Sequence, residues 1–498
     1  MDLFRTKSVE QSIAETEEPE HQLKKTLGTL DLIVFGVGVI IGAGIFVLTG
    51  TVAATNSGPA IALSFAIAGV ACALAALCYA EFASTVPVAG SAYTFSYATF
   101  GELIAWIIGW DLVLEFTIGS AALSTSFSSY LQTILAGTPL EVPASISSAE
   151  DGLVNLPAVL VALVVMTVLM LGIKFSSRLN QVVVAIKLAV VLLVIFAGLQ
   201  YVKADNYSPF IPPSEPAPAT AGGFLDVPLI STLFGLDPSV YGLAGVIAGA
   251  AVVFFAFIGF DIVATTAEET RNPQRDVPRG ILGSLVIVTV LYMAVSLVVT
   301  GMQSYTDIDP EDAAPLSTAF AANGADWMSD VIAVGACIGL VVVAMILMLG
   351  QTRVGFAMAR DGLLPRGLAK VHPRFGTPYI FTAITGVAVA AIAGFVPLTT
   401  LAELVNIGTL FAFILVSVGV VILRRTRPDL PRVFRVPAAP VVATLAVLLC
   451  VYLMLNLTGG TWLRFLVWMA FGLIVYFTYG RRHSRLALAQ KSEEGRQA

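Results

Sequence analysis

The chain has 498 residues; 57% are hydrophobic and only 12% charged, against the ~25% charged residues of an ordinary soluble domain. That deficit excludes the soluble globular classes and places the chain among polytopic membrane proteins. The formal net charge of −6 says little about partners, because the charges are segregated along the chain.

The first 28 residues are polar and acid-rich (Glu10, Glu15, Glu17, Glu18, Glu20), the wrong chemistry for a cleavable signal. They are expected to form a cytoplasmic tail. At roughly 20 residues per span, the apolar runs predict 12 transmembrane helices in an all-α fold. They lie at about 31–50, 59–84, 102–135, 156–172, 179–200, 241–266, 279–302, 329–359, 378–396, 401–423, 437–457 and 462–480. The span at 102–135 is long enough to run tilted or to end in a helical loop. Residues 203–240 form the longest connection, with Pro209, Pro212, Pro213, Pro216 and Pro218 in its first part. It separates spans 1–5 from spans 6–10. One membrane body, 29–480, is expected, followed by a tail at 481–498. Cys72, Cys78, Cys337 and Cys450 fall inside predicted spans and read as small apolar residues, without disulfide or metal spacing.

Basic residues set the orientation. With the N-terminus in the cytoplasm, nearly all of the 27 lysines and arginines fall in cytoplasmic segments, among them Lys24, Lys25, Lys174, Arg178, Arg271, Arg275, Arg279, Arg424 and Arg425. The opposite loops near 141–151 and 304–330 are acidic. Both termini are therefore expected in the cytoplasm, and the protein in the plasma membrane.

Two spans carry the signature of broken helices. The first holds Gly36, Gly38, Gly42 and Gly44, and the second runs Phe254-Phe255-Ala256-Phe257-Ile258-Gly259-Phe260-Asp261. The breaks are about 215 residues apart, and five spans per half give the halves opposite orientation. This is the inverted-repeat arrangement of secondary transporters, with repeat one at about 31–200, repeat two at about 241–423 and two added helices at about 437–480. An unwound stretch leaves N–H and C=O groups without intrahelical partners, which costs several kcal/mol per group in hydrocarbon unless protein, water or ligand supplies partners. Half-helix N–H ends favour anions and C=O ends favour cations. Two facing breaks can thus grip both ends of a zwitterion. The competing reading of the glycines is close helix packing.

Several motifs occur together in order: Gly36–Gly50, Pro87–Tyr97, Gly109–Phe116, Phe254–Asp261 with Glu268–Arg275, and Gly350–Leu364. Over about 24–480 the chain resembles bacterial members of the cationic amino acid transporter branch of the amino acid–polyamine–organocation superfamily. The resemblance implies a LeuT-type five-plus-five inverted repeat, with helices 1 and 6 unwound at the midplane, and secondary transport of amino acids. It implies that Ile40, Ile41, Gly42, Ala43 and Gly44 bind the substrate carboxylate; Ala43 stands where some relatives have threonine. It implies that Phe254, Phe255, Ala256, Phe257 and Ile258 take the ammonium and cover the side chain. Leu347 and Met348 match positions bounding the side-chain pocket, with ordinary packing as the alternative.

Lys187 lies eight residues, or about 12 Å, beyond Leu179. That is near the middle of hydrocarbon ~30 Å thick, too deep to snorkel easily. Desolvation disfavours a buried ammonium, so proton exchange at Lys187 is expected. It matches a lysine that, in similar proton-coupled carriers, holds the place of a bound sodium. The mechanism implied is a tether from the ammonium to carbonyls of the first break; a permanently charged structural lysine is the alternative. Asp111 and Glu115 share one helix face pointing inward. Glu115 matches a family glutamate near the substrate, either touching it or joining a structural network. Asp261 and Arg353 lie nearer the cytoplasmic ends, where gating pairs and simple helix capping are the alternatives; capping is the favoured reading.

The function expected is proton-coupled amino acid import by alternating access. The alternatives are an exchanger without proton coupling, or a non-transporting sensor. No enzyme is expected: His21, His372 and His483 lie in tails and loops, and no nucleophile triad, metal cluster or phosphate loop is evident. No cofactor, sodium, nucleic acid or obligatory protein partner is expected; the partners are the amino acid and the bilayer.

Overall fold

A computed structural model describes residues 5–6, 25–86, 91–149, 152–172, 177–217, 223–237, 239–310, 312 and 314–488. The expected tails, the start of Pro87–Tyr97, Lys174 and the side chains of Arg178 and Glu268 fall wholly or partly outside them.

Each predicted apolar segment falls on helix. The first is divided into α1 (Thr29–Ile40), α2 (Ala43–Phe46) and α3 (Leu48–Val52). Next come α4 (Ile61–Thr85), α5 (Glu102–Leu135), α6 (Leu156–Met170) and α7 (Ser177–Gly198). The second divided segment is α8 (Gly242–Val253), a 3-10 turn Phe254–Phe257 and α9 (Ile262–Thr265). It is followed by α10 (Pro273–Met302), α11 (Asp326–Arg360), α12 (Tyr379–Phe395), α13 (Leu398–Thr426), α14 (Ala439–Leu455) and α15 (Gly459–Val475). By length and composition, eight helical stretches among the described residues can cross a membrane, and α1, α6, α12 and α14 are shorter apolar helices. Helix α5 is continuous over 34 residues, about 50 Å, so no helical loop ends it. Helix α10 starts six residues before the predicted span, because Pro273 fits a first turn whose N–H groups have no intrahelical partner.

Packing divides the helices into two sets. Helices α4 and α10 pack along each other, with α1 against α10 and α8 against α4; α5 and α11 form the other extensive pair, joined by α6 and α12. Helix α13 touches both α4 and α5, and α7 reaches α1, α10 and α11.

Both described chain ends meet the start of α5. The Glu102 N–H donates to the Arg5 carbonyl at 2.9 Å. The Glu102 carboxylate, fully buried, accepts from Tyr476 at 3.0 Å and from Ser484. The described chain ends therefore lie on one side of the molecule. On that side the entry to α1 is stitched to the exit of the second break. The Thr26 N–H donates to the Glu269 carbonyl at 2.9 Å, the Arg271 N–H to the Leu27 carbonyl at 2.9 Å, and Thr29 Oγ1 to Asp276 Oδ1 at 2.7 Å.

Candidate functional site

The first helix stops where the glycines predict. Ile41 is extended at ψ 97°, and Gly42 follows at φ −143° and ψ −151° before α2 begins at Ala43. The carbonyls ending α1 then need donors from elsewhere. Val37 O accepts from the Ile41 N–H at 3.0 Å. Gly38 O accepts from Lys187 Nζ, and the lysine is 1% exposed. Ile40 O accepts from Tyr292 Oη at 2.7 Å.

The second helix stops in the same way. Asn406 Nδ2 donates to Ala251 O at 2.8 Å and Val252 O at 3.1 Å, within the last turn of α8. Ile258 is extended and Gly259 takes φ +115°, a left-handed value that favours glycine. Ala256 O accepts from Tyr292 Oη at 2.9 Å. One hydroxyl proton thus serves both Ile40 O and Ala256 O, so it can satisfy only one carbonyl fully at a time.

The two breaks touch. A Cβ added to Gly44 would fall 2.2 Å from Ala256 Cα and 2.8 Å from its nitrogen; one added to Gly259 would fall 2.7 Å from Val39 Cγ1. Residue 44 meets 256 while 39 meets 259, so the interrupted strands of backbone pass each other antiparallel.

Helices α5 and α11 wall this crossing. A Cβ at Gly42 would meet Leu123 Cδ2 at 3.3 Å and Val343 Cγ1 at 3.8 Å, and one at Gly119 would meet Leu347 Cδ1 at 2.9 Å. Val343 and Leu347 lie one turn apart on one face of α11. One turn earlier Gly339 lies against the Lys187 stem, its added Cβ 2.7 Å from Lys187 Cγ. A single stripe of α11 therefore runs from the lysine to the break and on to Gly119.

All the expected site residues are buried except Ile258, which is half-buried. The three phenylalanines divide by role. Phe254 packs on Phe413, and Phe257 on Phe65 and Tyr292. Phe255, 7% exposed, keeps some accessible surface. Glu115 is 2% exposed, with Asp111 and Asp261 as its charged neighbours and Thr409 nearby. Neither oxygen of Asp111, nor Glu115 Oε1, nor Asp261 Oδ1, has a hydrogen-bond partner among the described residues.

One reading of a charged residue needs correction. Among the described residues Arg353 makes no capping contact: it lies seven residues inside the end of α11 and approaches Glu269 at 3.9 Å, on the exit from the second break, which is the pairing alternative to capping. Asp261 occupies the position before α9, where the capping reading puts it, though its side chain makes no capping hydrogen bond there. Tyr292, Asn406 and Tyr130, which donates to Phe46 O at 2.6 Å, are partners of the breaks that the sequence reading missed. Their signal is a lone polar group inside an apolar span.

A family model described as amino acid permease matches residues 27–478. The chain is 46% identical over 488 residues to a Methylthioribose transporter of Bacillus subtilis (strain 168), covering 97% of this chain and 99% of that protein. It is 46% identical over 490 residues to the Branched-chain amino acid permease BcaP of the same organism, with the same coverage. It is 42% identical over 431 residues to Cationic amino acid transporter 2, vacuolar, of Arabidopsis thaliana, covering 86% of this chain and 64% of that protein. The family match runs through both breaks and every helix that walls them, and the chain belongs to the amino acid permease family of the amino acid–polyamine–organocation superfamily, as a multi-pass membrane transporter and not an enzyme.

Proposed function

We propose that the chain is a proton-coupled importer of amino acids in the plasma membrane. Twelve spans, both termini in the cytoplasm and a LeuT-type five-plus-five inverted repeat complete the reading. The observation that carries it is the antiparallel meeting of two broken helices, with the buried amine of Lys187 on a carbonyl that ends the first.

The chemistry follows from the half-helix ends. The N–H groups of Ala43 and Gly44 open α2 and suit a carboxylate. The carbonyls of Ile40 and Ala256, sharing one tyrosine hydroxyl, suit an ammonium. The substrate side chain then points toward Gly119, Leu123, Val343 and Leu347, an apolar wall that suits branched side chains. Phe255 covers it and Glu115 bounds the deeper end. Protonated Lys187 holds Gly38 O and with it the end of α1. Loss of the proton removes the charge from that hydrogen bond and frees α1 to move. The ammonium also fills the place of a coupling cation, so uptake needs no sodium.

Uptake into proteoliposomes tests this. Accumulation of L-leucine driven by an inward proton gradient, without sodium, is the expected result. Uptake only against preloaded amino acid selects exchange, and binding without flux selects a sensor. A second reading is favoured by the 46% identity to a Methylthioribose transporter: an uncharged thioether sugar, which the apolar wall would also accept. Competition of methylthioribose against L-leucine uptake separates the two.

A further inference from the structure

The end of α5 remote from both described chain ends lines a cavity of about 420 Å³, within the ~300–1,000 Å³ typical of ligand pockets. Its walls come from α5, the segment after it, Asn155 before α6, the corner before α13, and Asp312 and Ala314. Thr125, Ser129 and Thr133 stand one turn apart on one face of α5. Each hydroxyl donates to the carbonyl four residues back, at 3.1, 3.2 and 3.3 Å. With its proton committed, each oxygen offers the cavity lone pairs. Asp312 adds a carboxylate, oriented by the Ala314 N–H at 2.8 Å on Oδ1. Asp312 also lines a smaller neighbouring cavity of about 70 Å³ with Asp307 and Asp309. Among the described residues no lysine or arginine lines either cavity.

Gln132, Ser147, Ser148 and Asn155 complete the lining with neutral amides and hydroxyls, so the one charge on the described wall is the Asp312 carboxylate, which favours a cation. We propose that this cavity is a capture site for the ammonium or guanidinium group of an amino acid on its way to the broken helices. The route inward is marked. Tyr130, next to Ser129 on α5, donates to Phe46 O at 2.6 Å and meets the Phe46 ring edge-on at 6.0 Å between centroids. Phe46 closes α2, two residues beyond Gly44. The tyrosine thus couples the cavity wall to the first break, where a gate must open for captured substrate to pass. The site rests on the transport reading above and adds a selectivity to it. Cationic amino acids gain most from the carboxylate, zwitterions gain through their ammonium alone, and an uncharged sugar gains nothing.

Uptake of L-arginine and L-leucine into cells expressing the full chain tests the site. Asp312→Asn should raise the external KM for L-arginine about tenfold, raise that for L-leucine less, and leave the maximal rate unchanged. Equilibrium binding to purified protein gives a second measure. With the first break filled by Gly42→Leu, saturable L-arginine binding should persist, and Thr133→Trp should remove it. An Asp312→Asn variant with unchanged KM for both amino acids overturns the capture site, as does loss of all L-arginine binding on Gly42→Leu alone. Those outcomes leave midplane transport standing, whereas failure of the wild type to move or bind any amino acid overturns both.

Discussion

Lys187 was legible in the sequence because an ionisable residue at membrane depth is an anomaly that demands a reason. Its partner was legible only as a region, and the structure narrows that region to the Gly38 carbonyl. Lys187→Ala should therefore abolish concentrative uptake; the stem packed against Gly339 and the donor to Gly38 O are lost with it, so some loss of stability should accompany the loss of uptake without unfolding the protein. Accumulation at the wild-type level in that variant would refute the tether. Tyr292 and Asn406 were not legible. Tyrosine and asparagine occur singly in many spans, and the carbonyls they serve are 36 to 252 residues away in sequence. Only the tertiary fold brings each donor to its acceptor. Tyr292→Phe removes the one proton shared by Ile40 O and Ala256 O. Leaving a buried acceptor unsatisfied costs ~1–3 kcal/mol, so unfolding in detergent should shift by that order. A bound amino acid should recover part of the loss, because its ammonium replaces the missing donor. A Tyr292→Phe protein with wild-type stability and affinity would remove the tyrosine from the site.

At the scale of elements, the glycine spacing of the first segment and the phenylalanine run of the second gave both breaks to within a few residues. The reason is local: glycine lowers helix propensity wherever it falls, so an interruption leaves a mark in the chain itself. What the sequence did not distinguish is which glycine is required. Gly42 is extended, a conformation open to any residue, and its added Cβ would meet neighbours no closer than 3.3 Å. Gly44 carries Ala256 backbone directly against it, at 2.2 Å from the same hypothetical atom. Gly42→Ala should thus be mild. Gly44→Ala should force the two breaks apart, cost ~1–3 kcal/mol as an overpacked core does, and abolish substrate binding. Thermal unfolding with and without L-leucine would read both effects. Equal behaviour of the two variants would mean that the breaks are not held in contact by backbone. The misreading of Arg353 has the same origin as the success with the glycines. Its place along α11 was readable, but its approach to Glu269 depends on where the second break leaves the core.

For the molecule as a whole, the count and order of apolar segments were readable because each must be long enough and dry enough to cross lipid. The division into two packing sets was not, since it depends on which faces meet. Helices α1, α4, α8 and α10 form one set, and α5, α6, α11 and α12 the other. The breaks sit where the sets meet, and α7 holds the first set through Lys187 while also packing on α11. If transport proceeds by rocking one set against the other around a fixed site, distances within a set should hold while distances between sets change. Spin labels at Arg275, on α10, and Arg360, on α11, straddle the division on the side that carries both described chain ends; both positions are exposed. Labels at Leu171, just beyond α6, and Arg360 lie within one set. Saturating L-leucine under an inward proton gradient should move the first pair by several ångströms, shift the balance of its distance populations, and leave the second pair in place. The Lys187→Ala variant should lose the proton dependence of that shift, because the connection that a proton strengthens or weakens is gone. Motion of both pairs together would instead mean that the sets do not move as bodies. Motion of neither would leave the two broken helices acting as local gates within a static frame.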